Sequence, residues 1–295
     1  MRADMTGAVP GDALAGRGIL VTGGSMGIGL ACARAALAAG ASVTISARGE
    51  AALRAAESEL AEAHPGRVHA LRADVAERGE VEALVAGALE RLGRLDGVVH
   101  AAAVQGVIGS ILEVEPEEWL ETVRIDLYGS FLVARSAALA MRARRGGRIV
   151  LFSGGGATSP FPNYTAYGCA KAGVARLAET IAAELAPHGI AVNCLAPGFV
   201  ATRIHAATLA AGARAGEAYL ARTRAELERG GVPAELAARA VVFLLSNAAE
   251  GISGRILAAP WDAWWEWPDR LAELAGSDLF TLRRIVPRDR GADWQ

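Results

Sequence analysis

Lysine is all but missing from this 295-residue chain. Lys171 is the only one, and the other basic residues of the 30 counted as Lys plus Arg are arginines. Cysteine is scarce as well, with Cys32, Cys169 and Cys194 making up the full count of 3. An odd number at wide spacing, without a CxxC pair, excludes a disulfide framework and offers no zinc-ligand pattern. Three thiols in a reducing compartment are the expectation, and no metal is expected. An excess of charge of one sign is also lacking. A net charge of −2 argues against a nucleic-acid partner or an anionic membrane. Long apolar runs are absent, and the opening stretch MRADMTGAVPGDALAGRG has no continuous apolar core of the kind a secretory signal needs. These absences lead to the expectation of a cytoplasmic protein.

What is present is a 52% hydrophobic and 21% charged composition, enough apolar material for a large core. Short apolar runs alternate with longer amphipathic stretches. Strands are expected at 18–22, 42–46, 67–71, 97–101, 148–153, 190–195 and 254–259. Helices are expected near 27–39, 51–63, 81–92, 119–144, 167–185 and 233–245. Such alternation implies parallel βαβ units, hence an α/β fold with a doubly wound parallel sheet of the Rossmann type and helices on both faces. Residues 203–231 fall outside the alternation and read as mobile helices over a cleft. The catalytic domain is expected over 15–260. A tail over 261–295 holds five of the 6 tryptophans: Trp261, Trp264, Trp265, Trp267 and Trp294.

The stretch TGGSMGIG, Thr22 to Gly29, follows the first expected strand and opens the first expected helix. Glycines there permit a tight turn and a close approach of backbone N–H groups to a pyrophosphate. The helix N-terminus adds partial positive charge. Gly23, Ser25, Gly27, Ile28 and Gly29 are therefore candidate cofactor contacts. At the end of the second strand, many dinucleotide folds carry an acid for the ribose 2′-hydroxyl. This chain has Ala47 and Arg48. A guanidinium would bind a 2′-phosphate where a carboxylate would repel it. The expected cofactor is therefore NADP, with NAD as the alternative.

The segment YGCAK sets Tyr167 and Lys171 four residues apart, on one face of a helix. A free phenol titrates near pH ~10, too high for a base at neutral pH. A neighbouring ammonium favours the phenolate. Lysine also offers a compact charge with three donors, which a planar guanidinium does not. An amine is thus kept where its shape and proton chemistry count.

With TGGSMGIG, Asp74 and Val75 in "ADV", YGCAK and "APGFVAT" on one chain, the sequence resembles the short-chain dehydrogenase/reductase family over roughly residues 15–259. The resemblance implies a dimer or tetramer, and hydride transfer between nicotinamide and an alcohol or carbonyl carbon of a small substrate. It implies Asp74 and Val75 against adenine. It sets Pro197, Gly198, Val200 and Thr202 around the nicotinamide amide and phosphates. It makes Tyr167 the acid/base, with Lys171 holding the nicotinamide ribose and assisting proton relay.

Four departures from the family pattern stand out. Met26 occupies the glycine turn where NADP-preferring relatives often carry a basic residue. The usual NNAG after the fourth strand is HAAA, which leaves His100 and Ala102 as candidate cofactor contacts. The family asparagine of the long helix is Asp126, whose backbone carbonyl could hold a relay water. The family serine, 13 residues before the tyrosine, is Gly154. A one-residue bulge would bring Ser153 into its place; Thr158 and Ser159 are the alternatives. The tryptophan tail suits interface or core packing, or stacking on a cyclic or sugar-derived substrate. The displaced serine and HAAA leave room for a non-catalytic dinucleotide-binding protein, or for an epimerase or dehydratase with bound cofactor.

Overall fold

An apolar run such as Gly18–Thr22 has no polar face, so a strand made from it must be covered on both sides. The computed structural model, which describes residues 11–294, satisfies this with one seven-stranded sheet. Its strands are β1 (Gly18–Thr22), β2 (Ser42–Ala47), β3 (Val68–Arg72), β4 (Gly97–His100), β5 (Gly147–Phe152), β6 (Ile190–Ala196) and β7 (Ile256–Ala258). Their order is β3-β2-β1-β4-β5-β6-β7, and every pairing is parallel. The order reverses between β1 and β4, the crevice where open α/β sheets bind ligands.

Period-2 alternation divides the strand residues between two cores. Ile19, Val21, Val150 and Leu195 pack with α1 (Gly27–Ala38), α2 (Glu50–Ala63) and α9 (Ala234–Leu245). Leu20, Val98, Ile149 and Leu151 pack on the other side. There they meet α3 (Arg78–Leu92), α5 (Gly129–Met141) and α6 (Thr165–Leu185). α7 (Ile204–Ala211) and α8 (Glu217–Glu228) fill the segment expected to cover the cleft.

The long helix expected over 119–144 departs from its outline. It starts earlier, as α4 (Pro116–Val123), with proline in the first turn where its missing N–H costs nothing. It then passes through a π-helical turn, Arg124–Tyr128, before α5. A single extra residue in one turn shifts the hydrophobic pattern by about 100° at one point, and a short amphipathic window does not separate that from ordinary irregularity. The seventh strand is also shorter than expected, Ile256–Ala258. Among the described residues, no helix is long and apolar enough to cross a membrane, and no cluster of His, Cys, Asp and Glu could hold a metal ion. Cys32, Cys169 and Cys194 are all free. The start of the opening stretch read for a secretory signal, residues 1–10, and Gln295 of the tail lie outside the described residues.

The tail folds back on the first core. Trp264 and Trp267 are buried there, the Trp264 ring 5.2 Å from that of Phe243 in α9 and the Trp267 ring 4.6 Å from that of Phe280. Arg255 ties the tail down through its guanidinium, which donates to the carbonyls of Ser277 at 3.0 Å and Leu279 at 2.7 Å, and also to that of Leu274. The Phe280 carbonyl accepts from the N–H of Ile256, 2.7 Å away. Trp261 and Trp294 are exposed. Replacing Trp264 with alanine is expected to cost about 3–5 kcal/mol in urea denaturation, against no more than about 0.5 kcal/mol for Trp261→Ala.

Candidate functional site

The turn between β1 and α1 is shaped by glycines that nothing larger can replace. At Gly23, with φ +69°, an added Cβ would stand 2.7 Å from the backbone N of Ala102. At Gly29 it would stand 2.2 Å from the Gly23 carbonyl oxygen. The turn therefore lies directly against the segment that follows β4. Ser25, Gly27 and Ile28 lead into α1, and the Thr202 side chain comes within 3.2 Å of a Cβ built at Gly27. A concave backbone surface at a helix N-terminus results, and it fits the pyrophosphate of a dinucleotide.

The other expected cofactor residues lie at the carboxyl ends of neighbouring strands, as parallel topology requires. Arg48 follows β2 and Asp74 follows β3, and the two form an ion pair at 3.7 Å with the arginine half-exposed. Asp74 Oδ1 also accepts from the N–H of Ala76 at 2.9 Å, a local turn that sets Val75 between them. Pro197, Gly198, Val200 and Thr202 follow β6. Val200 bridges to Gly231, and its carbonyl accepts from His205 Nε2 at 3.1 Å.

His100, the last residue of β4, is buried, with Nδ1 2.8 Å from Thr22 Oγ1 on β1. Its Nε2 has no partner among the described residues. Burial, and then the charge of Lys171, push its pKa down to about 3, so the ring is neutral. Ala102 lies beyond it, against Gly23.

Tyr167 and Lys171 lie early in α6, and both are buried, at 8% and 3% exposure. The ammonium sits 5.4 Å from the centroid of the tyrosine ring. It pairs with Asp126 Oδ2 at 3.2 Å and donates to the Phe152 carbonyl at 3.4 Å. Asp126 is fully buried in the π-helical turn, its other oxygen accepting from the N–H of Val104 at 2.9 Å. Its backbone carbonyl, expected to hold a water, accepts from the Ser130 hydroxyl at 2.5 Å. Burial alone would lower the Lys171 pKa, but the Asp126 carboxylate leaves it raised. The Asp126 pKa is raised by burial, against the pull of Lys171.

The electrostatics of the phenol differ from the simple expectation. Burial pushes the Tyr167 pKa up most strongly; Lys171 does pull it down, and Asp126 adds to the rise. The net direction is upward, so at neutral pH the phenol keeps its proton and is set up to donate it.

The bulge expected to bring Ser153 to the tyrosine is not seen. Pairing of Phe152 with Leu195 runs on regularly, and the Ser153 N–H donates to the Leu195 carbonyl at 2.9 Å. Gly154 is the residue that meets the phenol: a Cβ there would stand 2.4 Å from Tyr167 Oη. The Ser153 hydroxyl is sealed from solvent beside the Cys194 thiol. Thr158 and Ser159 are exposed.

Two features were missed in the sequence. One is an aromatic wall beside Tyr167. Phe161 stacks on Tyr164 at 4.2 Å, and Tyr219 of α8 meets both edge-on at 4.8 and 5.1 Å. The only hint was the density of rings in FPNYTAY. The other is Gln105, buried after β4. It is the sole polar side chain between Ala101 and Ile108, a signal that could have singled it out.

Comparison with known proteins gives the family and the fold. The family model described as Enoyl-(Acyl carrier protein) reductase matches residues 23–259. A human protein named dehydrogenase/reductase SDR family member 4 is 35% identical over 202 residues, 68% of this chain and 72% of its own length. The structure of a single-substitution variant of actinorhodin polyketide ketoreductase with NADPH superposes with a TM-score of 0.75 at 33% identity, covering 81% of this chain and 94% of that one. That of an NAD+-bound xylitol dehydrogenase superposes with a TM-score of 0.77 at 25% identity, covering 83% and 98%. With its glycine turn, its Tyr167–Lys171 helix and its parallel sheet, the chain belongs to the short-chain dehydrogenase/reductase family of NAD(P)-dependent oxidoreductases.

Proposed function

We propose that the protein is an NADP(H)-preferring reductase or dehydrogenase of a small alcohol/ketone substrate, with Tyr167 as its acid/base. The observation that carries this reading is the sealed group of Tyr167, Lys171 and Asp126 beside the glycine turn. The bound nicotinamide supplies or accepts the hydride. Tyr167 donates its proton to the substrate oxygen in reduction and takes it back in oxidation. Lys171 holds the cofactor ribose and stabilises the phenolate left behind. Asp126 keeps the ammonium charged and in place. Gly23, Ser25, Gly27, Ile28 and Gly29 would line the pyrophosphate, with Asp74 and Val75 at the adenine. Pro197, Gly198, Val200 and Thr202 would border the nicotinamide, with His100 and Ala102 behind it.

The reading includes a homodimer or homotetramer. The outer faces of α5 and α6 present Phe131, Leu139, Leu177 and Ile181, with Arg135 and Glu184 offering opposite charges to a second copy. A second reading, a dinucleotide-binding protein without turnover, is favoured only by the missing hydroxyl at Gly154. Tyr167→Phe decides between the two. It is expected to lower kcat by about 100-fold or more with NADPH binding retained. A wild type that binds NADPH but reduces no ketone would support the second reading.

The pH dependence follows from the charges. In alcohol oxidation the active form is the phenolate, so the rate rises as pH increases through the Tyr167 pKa. Asp126 helps to hold that pKa up, so, with Lys171 still protonated, Asp126→Asn is expected to move the rising limb to lower pH. A limb that stays put in rate–pH profiles would remove Asp126 from the proton chemistry, and one that moves upward would show that the Lys171 charge was lost with the carboxylate.

Arg48, held near the cleft by Asp74, would trade that weak pair for a 2′-phosphate. Arg48→Ala is expected to weaken NADP(H) about 10-fold or more while leaving NAD(H) affinity unchanged. Equal dissociation constants for wild type and variant with NADPH would defeat the assignment of cofactor preference.

A further inference from the structure

Stabilising a developing oxyanion usually requires more than one hydrogen-bond donor aimed at the substrate oxygen. Tyr167 is one. The glycine at 154 offers no side chain, and its missing Cβ is the space the phenol fills. Ser153 is sealed in the protein interior. Asn163, the next amide along the chain, lies against Gly216 at the start of α8, 2.9 Å from where a Cβ would stand there. The second donor must come from elsewhere.

We propose that the Gln105 carboxamide is that donor, hydrogen-bonding the carbonyl oxygen of a cyclic or aromatic ketone beside Tyr167. This rests on the oxidoreductase reading above and gives the site its missing group. Three observations support it. First, the backbone on either side of Gln105 is pinned to the catalytic group. The N–H of Val104 donates to Asp126, which holds Lys171, and Ile108 packs with Tyr164 and Tyr167. Gln105 therefore lies within a short span that joins the ion pair to the phenol.

Second, the span is rigidly set. The Val107 N–H donates to Thr122 Oγ1 at 3.2 Å, and Gly106, with φ +68°, backs so closely on Thr122 that a Cβ would stand 2.1 Å from that oxygen. Third, Gln105 is 5% exposed overall, yet its carboxamide makes no hydrogen bond to a described residue and is not among the fully sealed polar atoms. A buried amide without a partner is costly unless something completes it. The carboxamide is thus left open within the span that joins the ion pair to the phenol.

The aromatic wall supplies the substrate class. Phe161 and Tyr219, half-buried and packed on the fully buried Tyr164, present ring edges and faces near the phenol, a surface complementary to a flat or cyclic apolar body. The amide N–H of Gln105 then donates to the carbonyl oxygen as negative charge builds on it. Tyr167 gives that oxygen its proton, and the hydride reaches the carbon from the reduced nicotinamide, so a hydride, carrying two electrons, and one proton convert ketone to alcohol.

The test uses the full-length protein with NADPH or NADH, whichever it binds more tightly, and a panel of cyclic and aryl ketones. Gln105→Ala is expected to lower kcat/KM by about 100-fold with the cofactor dissociation constant unchanged. Gln105→Glu gives a readout that a purely structural role would not move. An ionised carboxylate repels the substrate oxygen, whereas a protonated one donates to it. The loss in this variant should therefore shrink as pH falls towards the carboxyl range, about 4.3 for a free side chain. Gln105→Ala activity within about twofold of wild type, or a Gln105→Glu loss independent of pH, overturns the proposal while the oxidoreductase reading stands. A wild type that reduces no ketone of the panel overturns both.

Discussion

The site depends on a buried positive charge. Lys171 is almost wholly buried, and removing an ammonium from water costs several kcal/mol unless a partner compensates. Asp126 is that partner, and it is fully buried. The pair constrains everything around it. Asp126 is itself anchored by the N–H of Val104, which sets the loop after β4, and Lys171 reaches the Phe152 carbonyl at the end of β5. Cation, carboxylate and two strand ends thus become one unit. A guanidinium would be too wide for it, which accounts for a lone lysine in an arginine-rich chain.

That unit sets the chemistry of the phenol by a balance of opposing effects. Burial raises the Tyr167 pKa, Lys171 lowers it, and Asp126 raises it again. The carboxylate that keeps the lysine charged therefore weakens the lysine's effect on the tyrosine. The aspartate thus tempers the cation and adds to the rise of the phenol pKa. Gly154 complements this arrangement, since any side chain there would displace the hydroxyl.

Parallel strands explain why residues so far apart in sequence meet. Every carboxyl end points the same way, so Arg48, Asp74, His100, Gly154 and Thr202 come to one edge of the sheet. Reversal of order between β1 and β4 opens a crevice there, and the glycine turn lines it. The tail plays a different part. Trp264 and Trp267 extend the core behind α9, and Arg255 binds the chain that follows through its carbonyls.

Much of this was legible in the linear chain. Continuous apolar runs such as Gly18–Thr22 identified strands because only a doubly covered strand tolerates them. TGGSMGIG and YGCAK were legible because their chemistry is local: a turn, a helix face, a spacing of four. Asp126 was noticed as a departure, but not as the partner of Lys171, because the pairing joins two helices far apart in sequence and rests on a π-helical turn that no local motif marks. The fate of Ser153 depended on whether β5 bulged, and adjacent residues do not specify strand register at a glycine-rich end. Gln105 and the wall of Phe161, Tyr164 and Tyr219 were hidden for the same reason, since their meaning comes from elements distant in sequence. The chain alone determined which segments are strands and helices and which short motifs bear chemistry, because those depend on near neighbours. Only the tertiary structure decided which charges pair, which hydroxyl is shut away and which amide stays open, because burial and long-range contact are properties of the packed molecule.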